Sequence, residues 1–276
     1  MLFLQGFKSY HRLTDQAVTL SISPSLNVRE SREFASEIKF QVPEFVGEEI
    51  LDWAATRLSP DPNALDDAQT GAYQITSLYF DTDEFDVYNR NGSFGRSKYR
   101  VRRYGPSKTV FLERKLKTRG LVSKRRASVG VEELSRLHGP EPDASWQGFW
   151  YHQRLLARQL KPICQIGYHR IARVTMTDHG PIRLTVDRCI RTVPLSLVGF
   201  DDLASGTQIS DDQVIVEFKF RMGMPVLFKE LVEKFGLTPK RISKYRLAVV
   251  SLGLVEAPPQ NAEQQDEPVK PICLNS

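Results

Sequence analysis

Lys98-Tyr99-Arg100-Val101-Arg102-Arg103-Tyr104, Val110-Phe111-Leu112-Glu113-Arg114-Lys115-Leu116 and Leu121-Val122-Ser123-Lys124-Arg125-Arg126 follow one another with short breaks, and charge recurs at every second position. Side chains alternate across a β-strand, so Lys98, Arg100 and Arg102 share one face, as do Glu113 with Lys115 and Lys124 with Arg126. The breaks at Gly105-Pro106-Ser107 and Thr118-Arg119-Gly120 carry turn chemistry, which makes the strands antiparallel neighbours. A solvent face ordinarily mixes both signs with Ser, Thr and Gln. One this basic suits a ligand with many negative charges, phosphate first, because the guanidinium fork matches its oxygens.

The alternation recurs along the chain. Glu37 and Lys39 share a face, as do Tyr168 and Arg170, then Arg183, Thr185 and Asp187, then Glu217 and Lys219, with Ile38, Val101, Leu112, Leu184, Val216 and Phe218 between them. Any one strand reads as part of an antiparallel sheet with its charged face in water. The set predicts more: an α+β fold in which the sheet closes into an antiparallel β-barrel tunnel, apolar residues outward against helices and charged residues in the lumen. Unpaired charges there are costly, so water, counter-ions or a polyanion must occupy it.

Strands are expected at 34–42, 73–80, 164–175, 182–191 and 213–220 besides the three basic runs. Helices are expected from Pro43 to near Ser59, after Asp81-Thr82 through Tyr88, from Trp146 to Leu160 and from Pro225 to Phe235, with Ser243–Leu252 helical or extended. Residues 1–32 read as a lead-in, 33–256 as one domain, and 257–276 as a segment of disordered composition. Neither GxGxxG nor GxxxxGK[ST] follows a strand, which excludes the Rossmann and P-loop classes.

The 276 residues, 41% hydrophobic and 26% charged, have the balance of a soluble globular protein. A net charge of +5 and a pI near 9.1 agree with an anionic partner. Cys164, Cys189 and Cys273 lack CxxC spacing, so neither a disulfide framework nor a zinc site is expected. No stretch approaches a membrane span, and the chain is expected in the cytoplasm, or peripheral at the inner membrane. His138, His152, His169 and His179 are scattered and read as structural or surface residues. Nucleic acid is not the expected partner, because only Tyr99 and Tyr104 interleave with the basic positions.

Glu37, Glu113, Asp187 and Glu217 would repel a phosphate unless a cation sat between them. Mg²⁺ and Mn²⁺ bridge carboxylate to phosphate oxygens. Glu217, mid-strand in an apolar run, reads equally as a metal ligand or as a salt-bridge partner of Lys219 or a neighbouring arginine.

Glu37-Ile38-Lys39-Phe40, Ser77-Leu78-Tyr79-Phe80-Asp81-Thr82, Lys98-Tyr99-Arg100-Val101-Arg102 and Phe111-Leu112-Glu113-Arg114-Lys115 are followed by five further pieces. These are Val122-Ser123-Lys124-Arg125-Arg126, Tyr168-His169-Arg170-Ile171-Ala172, Arg183-Leu184-Thr185-Val186-Asp187, Val216-Glu217-Phe218-Lys219 and Ser243-Lys244-Tyr245. In this order, over about residues 33 to 253, the set resembles the VTC domain, the polyphosphate polymerase branch of the CYTH-like tunnel triphosphate metalloenzymes. The resemblance implies a β-barrel tunnel with helices outside, and transfer of the γ-phosphate of ATP to inorganic polyphosphate with Mn²⁺ or Mg²⁺. Carried over by motif, Lys39, Arg100, Arg102, Lys115, Lys124, Arg170 and Lys244 would form the catalytic lining. Lys98, Tyr168, Arg183, Lys219, Arg241 and Ser243 would bind substrate, and Glu217, Glu37 and Glu113 would hold the metal.

Two positions depart from the pattern. Ala35 replaces the first Glu of the hydrolytic ExExK motif, and Arg241 stands where lysine is expected. The fungal members carry SPX and membrane regions with no counterpart here, so a membrane-protein partner would supply export, or there is none. Hydrolysis of tripolyphosphate or a nucleotide, and polyphosphate binding without turnover, are the alternative readings.

Overall fold

The computed structural model describes residues 36–62, 71–118 and 121–257. The expectations for the lead-in 1–32, for Ala35 and for the tail beyond Ala257 lie outside the described residues. In chain order the elements are β1 (Ser36–Pro43), α1 (Glu44–Ala55), β2 (Ser59–Pro60), β3 (Ala72–Asp81), α2 (Asp86–Asn89), β4 (Arg96–Tyr104), β5 (Thr109–Thr118) and β6 (Leu121–Gly130). There follow α3 (Phe149–Ala157), β7 (Lys161–Thr177), β8 (Gly180–Pro194), β9 (Thr207–Gln208), β10 (Gln213–Phe220), α4 (Val226–Lys234) and α5 (Lys244–Ser251). Short 3₁₀ turns cover Gly92–Phe94 and Val131–His138.

One antiparallel sheet carries the fold, in the order β1-β10-β8-β7-β3-β4-β5-β6, with β2 added to β7 and β9 to β8. Its register places the alternating charges opposite one another on a single face. Lys39 opposes Glu217, Glu217 opposes Thr185, Arg100 opposes Tyr79 and Glu113, and Glu113 opposes Arg126. The other face is apolar and covered. Phe40, Phe218 and Phe228 stack between β1, β10 and α4, with ring centroids 4.9 and 4.3 Å apart. Val101, Val110 and Leu112 are buried in the core cluster that also holds Trp150 and Tyr151 of α3. Burying each such side chain contributes roughly 1.5–3 kcal/mol, and this double coverage forces the charged face inward.

The closed barrel predicted above is corrected. β1 and β6, the two ends of the strand order, do not pair. A segment of chain occupies the edge that closure would need. The Lys240 amide donates to the Lys39 carbonyl (2.8 Å), on the side of β1 away from β10. Three residues later Ser243 Oγ accepts from Lys98 Nζ of β4 (3.0 Å). The sheet nevertheless curls round, because Lys115 of β5 reaches Glu37 of β1 at 2.9 Å. The result is a trough whose seam is spanned by side chains and by the link into α5.

Most element positions follow the sequence expectation. β7 and β8 are longer than expected, at 17 and 15 residues, and their hairpin turns at Gly180, whose φ is +100°. The last segment is helical, capped by Ser243, whose side chain accepts from the Arg246 amide. α5 is held at its first turn: Tyr245 donates to Asp81 Oδ2 (2.6 Å) and stacks on Tyr79 at 5.3 Å. That anchoring delivers Lys244 and Ser243 to the charged face.

Candidate active site

The predicted site residues fall into linked clusters around four carboxylates on the inner face. Lys39 Nζ lies 3.0 Å from Glu37 and 3.3 Å from Glu217. Lys115 holds the other Glu37 oxygen at 2.9 Å, and Lys219 holds Glu217 at 3.0 Å. Burial alone would raise the Glu217 carboxyl. Lys39, Lys219 and Arg170 overcome that, against the neighbouring Glu37 charge, and bring it down to about 2.

Glu113 is the centre of a second cluster. It accepts from Arg100 Nε at 2.6 Å and Arg126 Nε at 2.7 Å, with Lys124 Nζ at 3.4 Å. Burial opposes its charge, but Arg100, Arg102, Lys124 and Arg126 hold it well below the usual carboxylate range. Asp187 centres the third. Arg170 donates to both its oxygens (2.6 and 2.7 Å), and Lys244 arrives from α5 at 2.6 Å. Arg102, buried, donates to Ser77 and to Tyr168, both at 3.2 Å.

Lys98 has no carboxylate partner among the described residues and bonds only to Ser243. Burial, reinforced by Lys39 and Lys115, pushes its ammonium well below the ordinary lysine value. Arg183 stands apart, held by Asp61 (2.5 Å) and the Tyr73 hydroxyl (2.8 Å). Arg241 is exposed in the link before α5. The lining cations outnumber its carboxylates, which leaves a strongly positive, partly desolvated surface.

A divalent metal must find oxygen donors in this lining. Glu37 and Glu217 converge on one ammonium, Lys39 Nζ, so oxygens from β1 and β10 reach a common cation position. That donor chemistry suits Mg²⁺ or Mn²⁺, with phosphate and water oxygens completing the shell. Glu113 does not converge with them. Three cations saturate it in the second cluster, and among the described residues no three acidic, histidine or cysteine side chains form a metal-binding group.

No histidine joins the lining among the described residues. His138 accepts from the Val198 amide, His152 pairs with the Gly139 carbonyl, and His169 and His179 are exposed. Several contributors had no role assigned from sequence. Asp187 and Arg126 were legible as face residues, but nothing local marked them as the partners of Arg170 and Glu113. Tyr104 is another. Burial would raise its phenol, but Arg102 and Arg126 bring it down to about 8 despite Glu113.

The model of the VTC domain matches residues 34–253, the span that carries every cluster above. The chain belongs to the VTC domain family. Solved structures similar to this VTC domain include an adenylate cyclase candidate from Bacillus halodurans (14% identity, TM-score 0.44, 75% of this chain and 92% of that one). Another is a Pyrococcus horikoshii protein (12%, TM-score 0.41, 77% and 97%). A third is an adenylyl cyclase candidate from Hippeastrum described as having a dominant triphosphatase activity (15%, TM-score 0.44, 80% and 97%). Comparison with curated proteins gives no match. Among the described residues no helix is long and apolar enough to cross a membrane.

Proposed function

We propose that this VTC domain transfers the terminal phosphoryl group of ATP to the end of an inorganic polyphosphate chain lying in the trough. The terminal oxyanion of the chain attacks the γ-phosphorus, the bond from that phosphorus to the β-γ bridging oxygen breaks, and ADP leaves. The acceptor is already an anion, so no general base is required. The protein's part is positioning and charge neutralisation. Arg100, Arg102, Lys115, Lys124, Arg170 and Lys244 take phosphate oxygens, each exchanging its present carboxylate or hydroxyl partner for one. Lys98, Tyr168, Lys219, Ser243 and, farther out, Arg183 and Arg241 extend the track. Glu37 and Glu217 would hold a divalent cation, Mn²⁺ or Mg²⁺, which when bound supplies further neutralisation of the transferring phosphoryl.

The observation that supports this reading best is the length of the cationic lining. Lys98 to Arg102 alone cover about 13 Å of β4 at ~3.3 Å per residue, and the lining continues over β5, β6, β7, β8 and β10. A single phosphate does not need such a track; a linear chain does. Hydrolysis is the second reading: among the described residues β1 and β6 do not pair with each other, and a seam spanned by side chains rather than by a backbone ladder admits water as acceptor.

Incubating the purified protein with ATP and Mn²⁺ and resolving long polyphosphate, free phosphate and ADP separates the two. Long chains with stoichiometric ADP are expected. Phosphate and ADP alone would replace the polymerase reading with hydrolysis, and tight polyphosphate binding without turnover would leave a binding module.

A further inference from the structure

We propose that the Tyr104 hydroxyl is a phosphate-positioning donor, which carries the anion track past Arg102 to the end of β4. The inference deepens the polyphosphate reading above and rests on it. Side chains alternate along β4, so Tyr104 shares the inner face with Lys98, Arg100 and Arg102. At ~3.3 Å per residue it stands about 20 Å along the strand from Lys98.

The ring is held by its neighbours. Tyr73 of β3 and Phe111 of β5 pack against it, with ring centroids 6.3 and 5.7 Å away, and the Arg102 guanidinium lies 6.0 Å from its centroid. Phe111 is in turn covered by the Arg126 guanidinium of β6, at 4.4 Å. This packing brings the hydroxyl to Arg126, whose Nη2 donates to it at 3.4 Å. A phenol can accept and donate at once, and here only the accepting side is used: among the described residues no acceptor takes the Tyr104 proton. Glu113 is already occupied by Arg100, Lys124 and Arg126, and the Tyr73 hydroxyl accepts from Arg183.

The charges around the hydroxyl set the acceptor it suits. Arg100 and Arg102 face it from β4, Arg126 from β6 and Glu113 from β5, beside the Tyr73 phenol of β3. Three guanidinia against one carboxylate favour an anionic oxygen. A phosphate oxygen lying between Tyr104 and Arg126 would accept a charge-assisted bond from each. Burial would raise the phenol, but Arg102, Arg126 and Arg100 bring it down to about 8 despite Glu113. The donor is thus intact at neutral pH, and above about 8 a phenolate replaces it and repels the phosphate.

Tripolyphosphate binding measured by calorimetry across pH tests this, comparing the wild type with Tyr104→Phe, which keeps the ring and its packing. At neutral pH the variant should bind about tenfold more weakly, as for loss of one hydrogen bond to a charged group. At about one unit above the Tyr104 value only about a tenth of the phenol is protonated, so the wild-type advantage should vanish there. Lys98 and Tyr79, whose values are also lowered, titrate in both proteins, so the ratio of the two affinities isolates Tyr104. Near-ultraviolet absorbance should show a tyrosinate forming at about pH 8 that the variant lacks, and tripolyphosphate should reverse it. Equal affinities at neutral pH would overturn the positioning role. So would a ratio that stays constant as pH rises, which marks packing rather than a donated proton. A wild-type protein that binds no tripolyphosphate would defeat the polyphosphate reading itself, and the positioning role with it.

Discussion

Replacing Asp187 with asparagine tests whether the charged lining is an enclosed ion-pair network or a solvated surface. The Asp187 side chain is fully buried. It takes both arms of Arg170 and the ammonium of Lys244 at 2.6–2.7 Å. Asparagine keeps the volume and removes the charge, leaving two buried cations facing a neutral amide. Breaking a buried pair from one side costs about 3–5 kcal/mol, because the remaining charge stays desolvated. In a domain of this size ~1 kcal/mol moves the melting temperature by about 2–4 °C, so the ligand-free variant should melt about 6–20 °C lower.

The pH dependence has a definite sign. Burial opposes the Asp187 charge, but Arg170 and Lys244 hold its carboxyl far below the ordinary value. The stability it contributes is therefore complete above the unfolded-state value of about 4 and is lost as pH falls toward the lower native value. The wild type should therefore show a steeper acid limb than Asp187→Asn, which keeps the share due to Glu113 and Glu217. Tripolyphosphate, by supplying anions to Arg170 and Lys244, should raise the melting temperature of the variant more than that of the wild type. Thermal unfolding monitored by circular dichroism reads all three effects. A loss under about 1 kcal/mol, the range of exposed pairs, would refute the enclosed network.

Lys98→Met removes an amine that burial, Lys39 and Lys115 disfavour in its charged form. In the wild type that penalty sets in as pH falls below the unfolded lysine value of about 10. The ligand-free variant should therefore melt higher at neutral pH, and calorimetry should show tripolyphosphate binding weakened about tenfold, as for loss of one charge-assisted contact. The wild type should also take up protons from the buffer on binding tripolyphosphate, and a null result across buffers of different ionisation enthalpy counts against it. Glu217→Ala should abolish metal-dependent turnover and keep anion binding; a fully active variant would remove Glu217 from the metal site. Tyr245→Phe deletes a donor to buried Asp81 and should cost about 1–3 kcal/mol in denaturant unfolding, and an unaltered midpoint would show that α5 is held by other contacts.

How far the sequence can be read depends on the range of the signal. Period-two charge between Lys98 and Arg126 is local, so strand faces were legible and the register put each face where alternation placed it. The capping Ser243 and the Gly105 and Gly180 turns are likewise local. The grouping of the lining was not. Glu37, Glu113 and Glu217 were all read as metal ligands, Glu217 foremost, but Glu37 and Glu217 meet at Lys39 and Glu113 is taken by Arg100, Lys124 and Arg126. No local pattern records which cations a carboxylate will meet across a curved sheet.

By itself the sequence determined that this chain folds as a charged-faced antiparallel sheet backed by helices, because alternation and turn chemistry act over a few residues. Only the tertiary structure decided that the barrel stays open. The link before α5 takes the Lys39 carbonyl of β1, so that carbonyl is not left to bond β6. Closure is a contest between two distant segments for the same backbone groups, and only the folded chain shows which one wins.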